Sequence, residues 1–407
     1  MARSFRALAI GVFWIGAMFA SLDVCAASLR EILDKNGRDY VLANAKTVAT
    51  QLDDRDKYFL ARILIGNLRG AEAPEILIPL AQKGDIASIR VLAVNFGTGK
   101  EGFKTNRSQA TLWTTRLEKI ASGADEKQRE TALGTLCEIY KDWNHVLYGK
   151  EVAAKYCEEY YRLPDASRST QAYTYLSPES VLFDPVRGIS IYDQCLAEGD
   201  AYCKMNYAWQ GRQSLDIARR TTKRQLFEYA SAALDVNSVA GTNNLGVFYL
   251  EGFGTPRDSS KALELFEKAA RRSKDHALYN LLQMTFFRYA DWKDAPKVAD
   301  EAMLLISYYD YLSPETDRFD SVPFKEWVFS KGRLPTNDSE FQDFLKERAK
   351  AGSDTSACML AGHFLKIGNL GESLQYAEMG RRTKNIKVKR WCEREIARVD
   401  VLNTIKP

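Results

Sequence analysis

The sequence predicts an all-α protein, a right-handed α/α superhelical solenoid built from helix-turn-helix repeats. Apolar residues recur at helical spacing through most of the 407-residue chain. Similar segments return after 36 residues from Leu245 and after 38 residues from Tyr207, and such periods are typical of stacked helical repeats. Glycine and proline collect between these segments, where they predict turns.

The clearest unit spans residues 241 to 281. Its first predicted helix ends in the turn 251–256, whose glycines permit positive φ and whose proline cannot donate a backbone hydrogen bond. Asp258 then caps a second helix. The apolar stripe of this second helix has the spacing i, i+3, i+4, i+7, i+8, formed by Ala262, Leu265, Phe266, Ala269 and Ala270. One such hairpin cannot bury its apolar face by itself, so neighbouring units must cover it.

The unit resembles the SEL-1-like repeat, a relative of the tetratricopeptide repeat. The small, glycine and aromatic positions that match are Leu245-Gly246, Tyr249, Gly252-Phe253-Gly254, Asp258, Lys261-Ala262, Phe266 and Lys268-Ala269-Ala270. The resemblance is specific over this unit and looser over most of the remaining chain. It implies an α/α solenoid that serves mainly to hold other proteins.

The first 27 residues are predicted to be a signal peptide. Arg3 and Arg6 precede an apolar run over 7–22, which is shorter than a membrane span. We expect cleavage near Ala26 or Ala27 and a periplasmic mature protein. A lipoprotein anchored through Cys25 is the alternative, and it is disfavoured because the two preceding residues are not small.

The rest of the chain divides into three predicted parts, namely N-terminal capping helices over 28–83, a first repeat module over 84–240 and a second module over 241–407. The two modules share landmarks: the segment 175–179 (YLSPE) recurs at 311–315, and Tyr140-Lys141-Asp142-Trp143 resembles Tyr289-Ala290-Asp291-Trp292. This favours an internal duplication. Ser177-Pro178 and Ser313-Pro314 are predicted as turns or helix starts with proline at the first helical position.

The charge balance argues against nucleic-acid or anionic-membrane partners. Lysine and arginine number 57 and aspartate and glutamate 53, which gives a net charge of +4. This charge is too small to indicate a general affinity for polyanions. After signal cleavage no long apolar run remains, so we expect no stable membrane insertion.

Six cysteines remain after signal cleavage, and an even number in an exported chain suggests disulfides. Six cysteines allow fifteen pairings. Proximity along the sequence favours Cys137–Cys157 within one hairpin, Cys195–Cys203 across a turn and Cys358–Cys392 between adjacent repeats. Free buried thiols are the alternative for each pair.

The sequence offers no trusted catalytic residue, metal site or cofactor site. The three histidines, His145, His276 and His363, have no second histidine three or four residues away. The Ser-x-x-Lys and Gly-x-Ser-x-Gly nucleophile motifs are both absent from the sequence. We therefore predict that the protein is not an enzyme, and a cell-wall or β-lactam hydrolase remains a less favoured alternative.

Paired aromatic residues are the predicted partner-binding candidates. Consecutive residues on a helix cannot all face one buried stripe, so some of these rings should be exposed, and exposed aromatic rings often anchor protein interfaces. The candidates are Tyr160, Tyr161, Phe286, Phe287, Tyr308, Tyr309 and Tyr311. Core packing is the alternative interpretation.

Together these features predict a non-catalytic periplasmic scaffold or regulator that binds another protein of the cell envelope. An immunity protein that neutralises a secreted periplasmic toxin is the alternative within the same class. The identity of the partner does not follow from the sequence, because function depends on the site that a scaffold carries.

Overall fold

The computed structural model describes residues 28–67, 69–142, 144–164, 166–178, 180, 182–272, 274–289, 322–337 and 339–407. Within them the chain is all-α, with no β-strand. The helices of the described residues, numbered in chain order, are α1 (Leu29–Ala43), α2 (Ala45–Ala49), α3 (Asp54–Gly66), α4 (Ala73–Gln82), α5 (Ile86–Thr98), α6 (Arg107–Ala121), α7 (Glu126–Lys141), α8 (Lys150–Tyr161), α9 (Arg168–Leu176), α10 (Pro185–Ala197), α11 (Ala201–Gly211), α12 (Leu215–Ala218), α13 (Lys223–Ser231), α14 (Val239–Glu251), α15 (Ser259–Ala270), α16 (Lys274–Phe286), α17 (Val322–Lys331), α18 (Glu340–Lys350), α19 (Asp354–Lys366), α20 (Leu370–Gly380) and α21 (Ile386–Thr404).

The helices form a solenoid, because each packs mainly against the next one or two along the chain. The predicted all-α solenoid is therefore confirmed. Its core is spread over several clusters of buried apolar side chains and has no single centre. This arrangement follows from repeats that bury their apolar faces against their neighbours.

The unit at α14 and α15 has the predicted helix-turn-helix form. Gly252 ends α14 in the left-handed conformation with φ of 67°, which a residue with a side chain adopts at a cost. Asp258 caps α15, since its Oδ1 accepts a hydrogen bond of 2.8 Å from the backbone N–H of Lys261. Gly246 faces Phe266 so closely that a Cβ would lie 2.6 Å from a ring carbon.

The predicted N-terminal capping segment contains α1 to α4, of which α1 to α3 share a small core of their own. Ser28 begins α1 with a capping box, in which its side chain and that of Glu31 each accept a backbone N–H of the other residue. Asp53 caps α3 in the same manner through the N–H of Asp56. The buried apolar side chains of this small core are Leu29, Ile32, Val41, Ala45, Val48, Leu52, Leu60 and Leu64.

The six cysteines form three disulfides, which are the pairs predicted from proximity. Cys137–Cys157 joins α7 to α8, and Cys358–Cys392 joins α19 to α21. Cys195–Cys203 crosses the turn between α10 and α11, where Gly199 has φ of 80°. Each bridge therefore fastens helices that are already neighbours in the solenoid.

Ser177-Pro178 lies at a turn, which is one of the two predicted alternatives, and does not start a helix. Ser177 ends α9, and the next helix begins at Pro185. Asp184 provides the cap there, because its Oδ1 accepts the N–H of Arg187 at 3.0 Å. Ser313-Pro314 lies outside the described residues.

The last helix, α21, closes the superhelix on itself. Trp391 and Cys392 near its start belong to the core around α16 to α19. Val401 and Ile405 at its end belong to the core of α9 to α15. The backbone N–H of Lys223 also donates to the carbonyl of Lys406 at 2.9 Å, so the C-terminus is fixed against a helix far away in sequence.

The N-terminal cap takes part in the same closure. Arg38 Nη1 donates a hydrogen bond of 3.0 Å to the carbonyl of Arg271, which follows α15. Gly66, at the end of α3, approaches Arg272 so closely that a Cβ there would lie 2.8 Å from its carbonyl oxygen. No helix in the described ranges is long and apolar enough to cross a membrane.

The close approach at Gly246 predicts a destabilising Gly246→Ala substitution. We expect it to lower the free energy of unfolding by about 1–3 kcal/mol, because the buried ring of Phe266 has to move. The measurement is urea denaturation followed by circular dichroism. Gly371→Ala is the matched control: the nearest atom to a new Cβ is 3.9 Å away, so alanine should be neutral or stabilising there. Equal midpoints for the two variants would contradict the packing argument.

Candidate functional site

The C-terminal helix α21 has one face turned into the protein and one face turned to solvent. The inner face carries the buried side chains Val388, Trp391, Cys392, Glu395, Val399 and Val401. The outer face carries Arg390, Glu393, Arg394, Ala397 and Asp400, which line a groove. The two faces differ in their surroundings: the inner face packs into the protein, and the outer face borders the groove.

A chain of buried ion pairs holds the inner face of α21. Arg212, directly after α11, pairs with Glu251 at the end of α14, with Nη2 and Oε2 2.6 Å apart. Arg398 of α21 pairs with the same Glu251 carboxylate and, at 2.7 Å, with Glu395. The side chains of Arg212 and Glu251 are only 4% and 5% exposed, so water does little to screen these charges.

The pKa values of Glu251 and Lys366 are shifted by burial and by the neighbouring charges of the cluster. Burial by itself raises the pKa of Glu251, but the guanidinium groups of Arg212 and Arg398 outweigh burial and hold it at about 2. Lys366, at the end of α19, lies beside the same cluster. Burial lowers its pKa to about 8, although the Glu251 carboxylate favours the ammonium.

The groove has a volume of about 630 Å³ and lies between the outer face of α21 and two loops earlier in the chain. One loop follows α9 and contributes Ser177, Pro178, Ser180 and Phe183. The other lies between α11 and α12 and contributes Gln213, Ser214 and, at the start of α12, Leu215 and Asp216. The remaining lining residues are Lys150, Leu176 and Gln210.

The groove combines apolar surface with charges of both signs. Phe183 lies at the groove with 47% of its surface exposed. Charged groups of the lining are Lys150, Asp216, Arg390, Glu393, Arg394 and Asp400. Gln210 is fixed in the wall, because its amide donates to the carbonyl of Tyr173 at 2.9 Å and its oxygen accepts from the hydroxyl of Tyr192 at 3.0 Å.

Three predicted partner-binding residues belong to the core, so their assignment to an exposed interface was wrong. Phe286 packs against Phe324 and Phe341, with ring centroids 4.8 and 4.9 Å away. Phe287 stacks on His363 at 4.2 Å. Helices distant in sequence cover both rings, which the spacing along one helix does not reveal.

Tyr161 is also buried, because it packs beside the Cys137–Cys157 bridge. Its hydroxyl lies 2.7 Å from Thr174 Oγ1, and burial raises its pKa to about 12. Tyr160 is half-buried against the core of α5 to α8 and remains a candidate. Tyr308, Tyr309 and Tyr311 lie outside the described residues.

Two histidines have structural roles. His363 Nδ1 lies 2.6 Å from the hydroxyl of Tyr289, and burial followed by nearby cations lowers its pKa to about 3, which keeps the ring neutral. His145 Nε2 lies 3.1 Å from the carbonyl of Ala93, in space left by the absent side chain of Gly97. Across the described part of the chain, no three histidine, cysteine, aspartate or glutamate side chains are grouped as a metal site.

Sequence reasoning missed the ion-pair cluster. Glu251 was interpreted as part of a turn, and no pattern in the sequence singled out Arg212, Glu395 or Arg398. A weak signal does exist, since Glu251 is the single charged residue of α14 and Lys366 ends a mostly apolar run in α19. That signal does not indicate which charges meet.

Comparison with known protein families identifies one repeat unit of the chain. Residues 239–274, which include α14, α15 and the turn between them, match the family model of the Sel1 repeat. The chain contains a Sel1 repeat. The Sel1 repeat coincides with the unit in which the glycine, alanine and aspartate positions were singled out above, and the Glu251 ion pairs begin from its first helix.

Two solved structures are similar to this Sel1-repeat chain. One is a protective antigen present in uropathogenic Escherichia coli strains with an SLR fold: identity is 17%, TM-score 0.34, and the match covers 85% of this chain and 72% of that one. The other is a Sel1 repeat protein from Oxalobacter formigenes: identity is 13%, TM-score 0.27, and coverage is 90% and 93%. The comparison with curated proteins gives no match.

The ion-pair cluster predicts that Glu251→Gln is strongly destabilising. Two buried guanidinium groups would lose their shared carboxylate, which costs on the order of 3–5 kcal/mol. Glu264→Gln is the control in the same repeat, because Glu264 pairs with Lys261 at the surface. This substitution should lower the free energy of unfolding by less than about 1 kcal/mol. Chemical denaturation of both variants tests the difference, and equal losses would contradict it.

The loss of stability caused by Glu251→Gln should depend on pH. The folded pKa of Glu251, about 2, lies below its ordinary value of 4.5, so ionised Glu251 stabilises the fold fully above that ordinary value. The stabilisation is lost as the pH falls toward 2. The difference in unfolding free energy between the wild type and Glu251→Gln should therefore shrink between pH 5 and pH 2.

Lys366→Met should stabilise the protein at pH 7. The folded pKa of Lys366, about 8, lies below the ordinary 10.5, so protonated Lys366 destabilises the fold below pH 8. Methionine removes this penalty and leaves two arginines and two glutamates in the cluster. The gain, on the order of 1–3 kcal/mol at pH 7, should diminish between pH 8 and pH 10. A gain that is independent of pH would point to packing as its cause.

Proposed function

We propose that this Sel1-repeat protein is a non-catalytic scaffold of the bacterial cell envelope, which binds a polypeptide segment of another envelope protein in the groove beside α21. The observation that carries the proposal is the composition of the groove. It offers apolar contact at Leu176, Phe183 and Leu215 together with charges of both signs. Protein interfaces combine an apolar centre with a polar rim in the same way.

The groove is suited to a segment of chain because its walls are held in place. α21 is fastened by the Cys358–Cys392 bridge at one end and by the Glu251 ion pairs further along. Gln210 is fixed by two hydrogen bonds in the opposite wall. A preformed site loses less conformational entropy on binding than a flexible one.

A scaffold role agrees with the family of the repeat. Sel1 repeats typically form protein-interaction scaffolds and are generally non-catalytic. His363 and Lys366 are buried, and burial is the largest cause of the lowered pKa of each side chain. Their perturbation is explained by burial in the closed superhelix, so it does not by itself indicate catalysis.

Two features support a location in the periplasm. The first 27 residues have the basic start and apolar run of a signal peptide. The three disulfides are of the kind that persist in oxidising compartments. Neither feature identifies the partner.

Site-directed photo-crosslinking in cells tests the proposed groove. A photoreactive amino acid at Phe183 should capture a partner, because this ring lies at the groove. The same amino acid at Leu112 is the control, since Leu112 is similarly exposed on α6 and does not line the groove. Mass spectrometry identifies the captured protein, and a toxin among the products would favour the immunity role.

A charge substitution completes this test. Arg394→Glu in the groove should lower the yield of the Phe183 crosslink several-fold, whereas Arg382→Glu, on an exposed turn outside the groove, should leave it unchanged. Equal crosslinking from Phe183 and Leu112, or no product from Phe183, would contradict the proposal.

A further inference from the structure

A second pocket lies where the N-terminal cap meets the end of the Sel1 repeat. It has a volume of about 630 Å³. Its walls are α1, α3 and the two residues that follow α15. Five of its lining residues are arginines, and we refer to it as the arginine pocket: Arg30, Arg38, Arg62, Arg271 and Arg272.

The arginine pocket concentrates positive charge in a chain that is otherwise nearly balanced. Its five arginines and two aspartates, Asp34 and Asp56, give a local charge of 5 − 2 = +3, whereas the whole chain of 407 residues carries +4. Asp34 forms a loose pair with Arg30 at 3.8 Å. Asp56 already accepts the backbone N–H of Leu29 at 2.7 Å.

Two of the arginines are positioned by neutral acceptors, so their charge is not cancelled. Arg38 donates to the carbonyl of Arg271, and Arg272 donates to the side-chain oxygen of Asn237 at 2.8 Å. The guanidinium groups of Arg62 and Arg271 are exposed and make no ion pair within the described residues. They are thus available to an anionic ligand, and a guanidinium can bind a carboxylate through two parallel hydrogen bonds.

The floor of the arginine pocket is apolar. Leu33, Phe59 and Ile63 line it, and Phe59 is 45% exposed. The guanidinium of Arg55 lies 5.8 Å from the Phe59 ring centre. A simple anion would leave this apolar surface unused, whereas a peptide that carries both carboxylates and an apolar side chain would contact both parts.

We propose that the arginine pocket binds an acidic peptide segment of a partner protein. An aliphatic or aromatic side chain of the peptide packs on Phe59, and flanking carboxylates pair with Arg62 and Arg271. The pocket shares no lining residue with the groove beside α21, so it is a separate site and goes beyond the scaffold role assigned to that groove. Closure of the superhelix creates it, because Arg62 and Arg271 are 209 positions apart in the sequence.

Fluorescence anisotropy with the mature full-length chain tests this proposal. The probe is a labelled peptide Glu-Asp-Leu-Phe-Glu-Asp, and its control is Gln-Asn-Leu-Phe-Gln-Asn, which has the same shape without charge. We expect the acidic peptide to bind about tenfold more tightly, with an affinity that falls as salt is added. Equal binding of the two peptides would overturn the proposal.

The matched variants locate the site. Arg62→Gln with Arg271→Gln should weaken binding of the acidic peptide by about five- to tenfold. Arg107→Gln with Arg382→Gln removes two exposed arginines elsewhere and should have no effect. The groove variant Arg394→Glu should also bind the acidic peptide normally, so the outcomes for the two sites are independent of each other.

Three further outcomes would overturn the proposal. Equal weakening by the two arginine pairs would show attraction to the overall charge. Complete displacement of the peptide by millimolar inorganic phosphate would show a site for simple anions, and binding of anionic phospholipid vesicles through Arg62 and Arg271 would assign the pocket to a membrane surface. Circular dichroism confirms that the variants are folded, and none of the mutated side chains holds the backbone of the pocket.

Discussion

The buried Glu251 carboxylate is the constraint on which the closed form of this protein depends. It lies at the end of the first helix of the Sel1 repeat and is shared by Arg212 and Arg398. Charges that leave water must find partners of opposite sign, because their solvation is lost. Such pairs are better at specifying one arrangement than at adding stability, since polar solvation offsets most of their attraction. The ion pairs therefore define where α21 lies against the repeats.

The position of α21 determines where binding surfaces can form in this solenoid. An open array of repeats presents its concave side to ligands. Here α21 packs into the core of α16 to α19 near its start and into the core of α9 to α15 at Val401 and Ile405. The groove thus forms between the outer face of α21 and the loops after α9 and α11. The same closure brings the N-terminal cap against Arg271 and Arg272, which builds the arginine pocket.

The aromatic residues show where inference from spacing fails. Two adjacent rings on one helix do point in different directions, and this led to the expectation that Phe286 or Phe287 is exposed. In the structure Phe286 meets Phe324 and Phe341, while Phe287 meets His363 on α19. Helices α17 and α18 cover Phe286, and helices α18 and α19 cover Phe287, so both rings are buried. The pattern within one helix indicates which residues share a face. It does not indicate whether another helix, distant in sequence, covers the opposite face.

The sequence by itself determined the helices and the turns of this protein and favoured its three disulfides, because these depend on residues close to one another in the chain. Asp258 caps the helix that it precedes, Gly252 ends the helix that it follows, and each cysteine pairs across a neighbouring turn or repeat. Only the tertiary structure decided which charges are buried and which surfaces remain open. Glu251 and Arg398 are 147 positions apart, and residues so distant meet only when the accumulated rotation of many repeats brings them together. Small differences in each repeat add up along the solenoid, so closure is a property of the whole chain and not of any one motif.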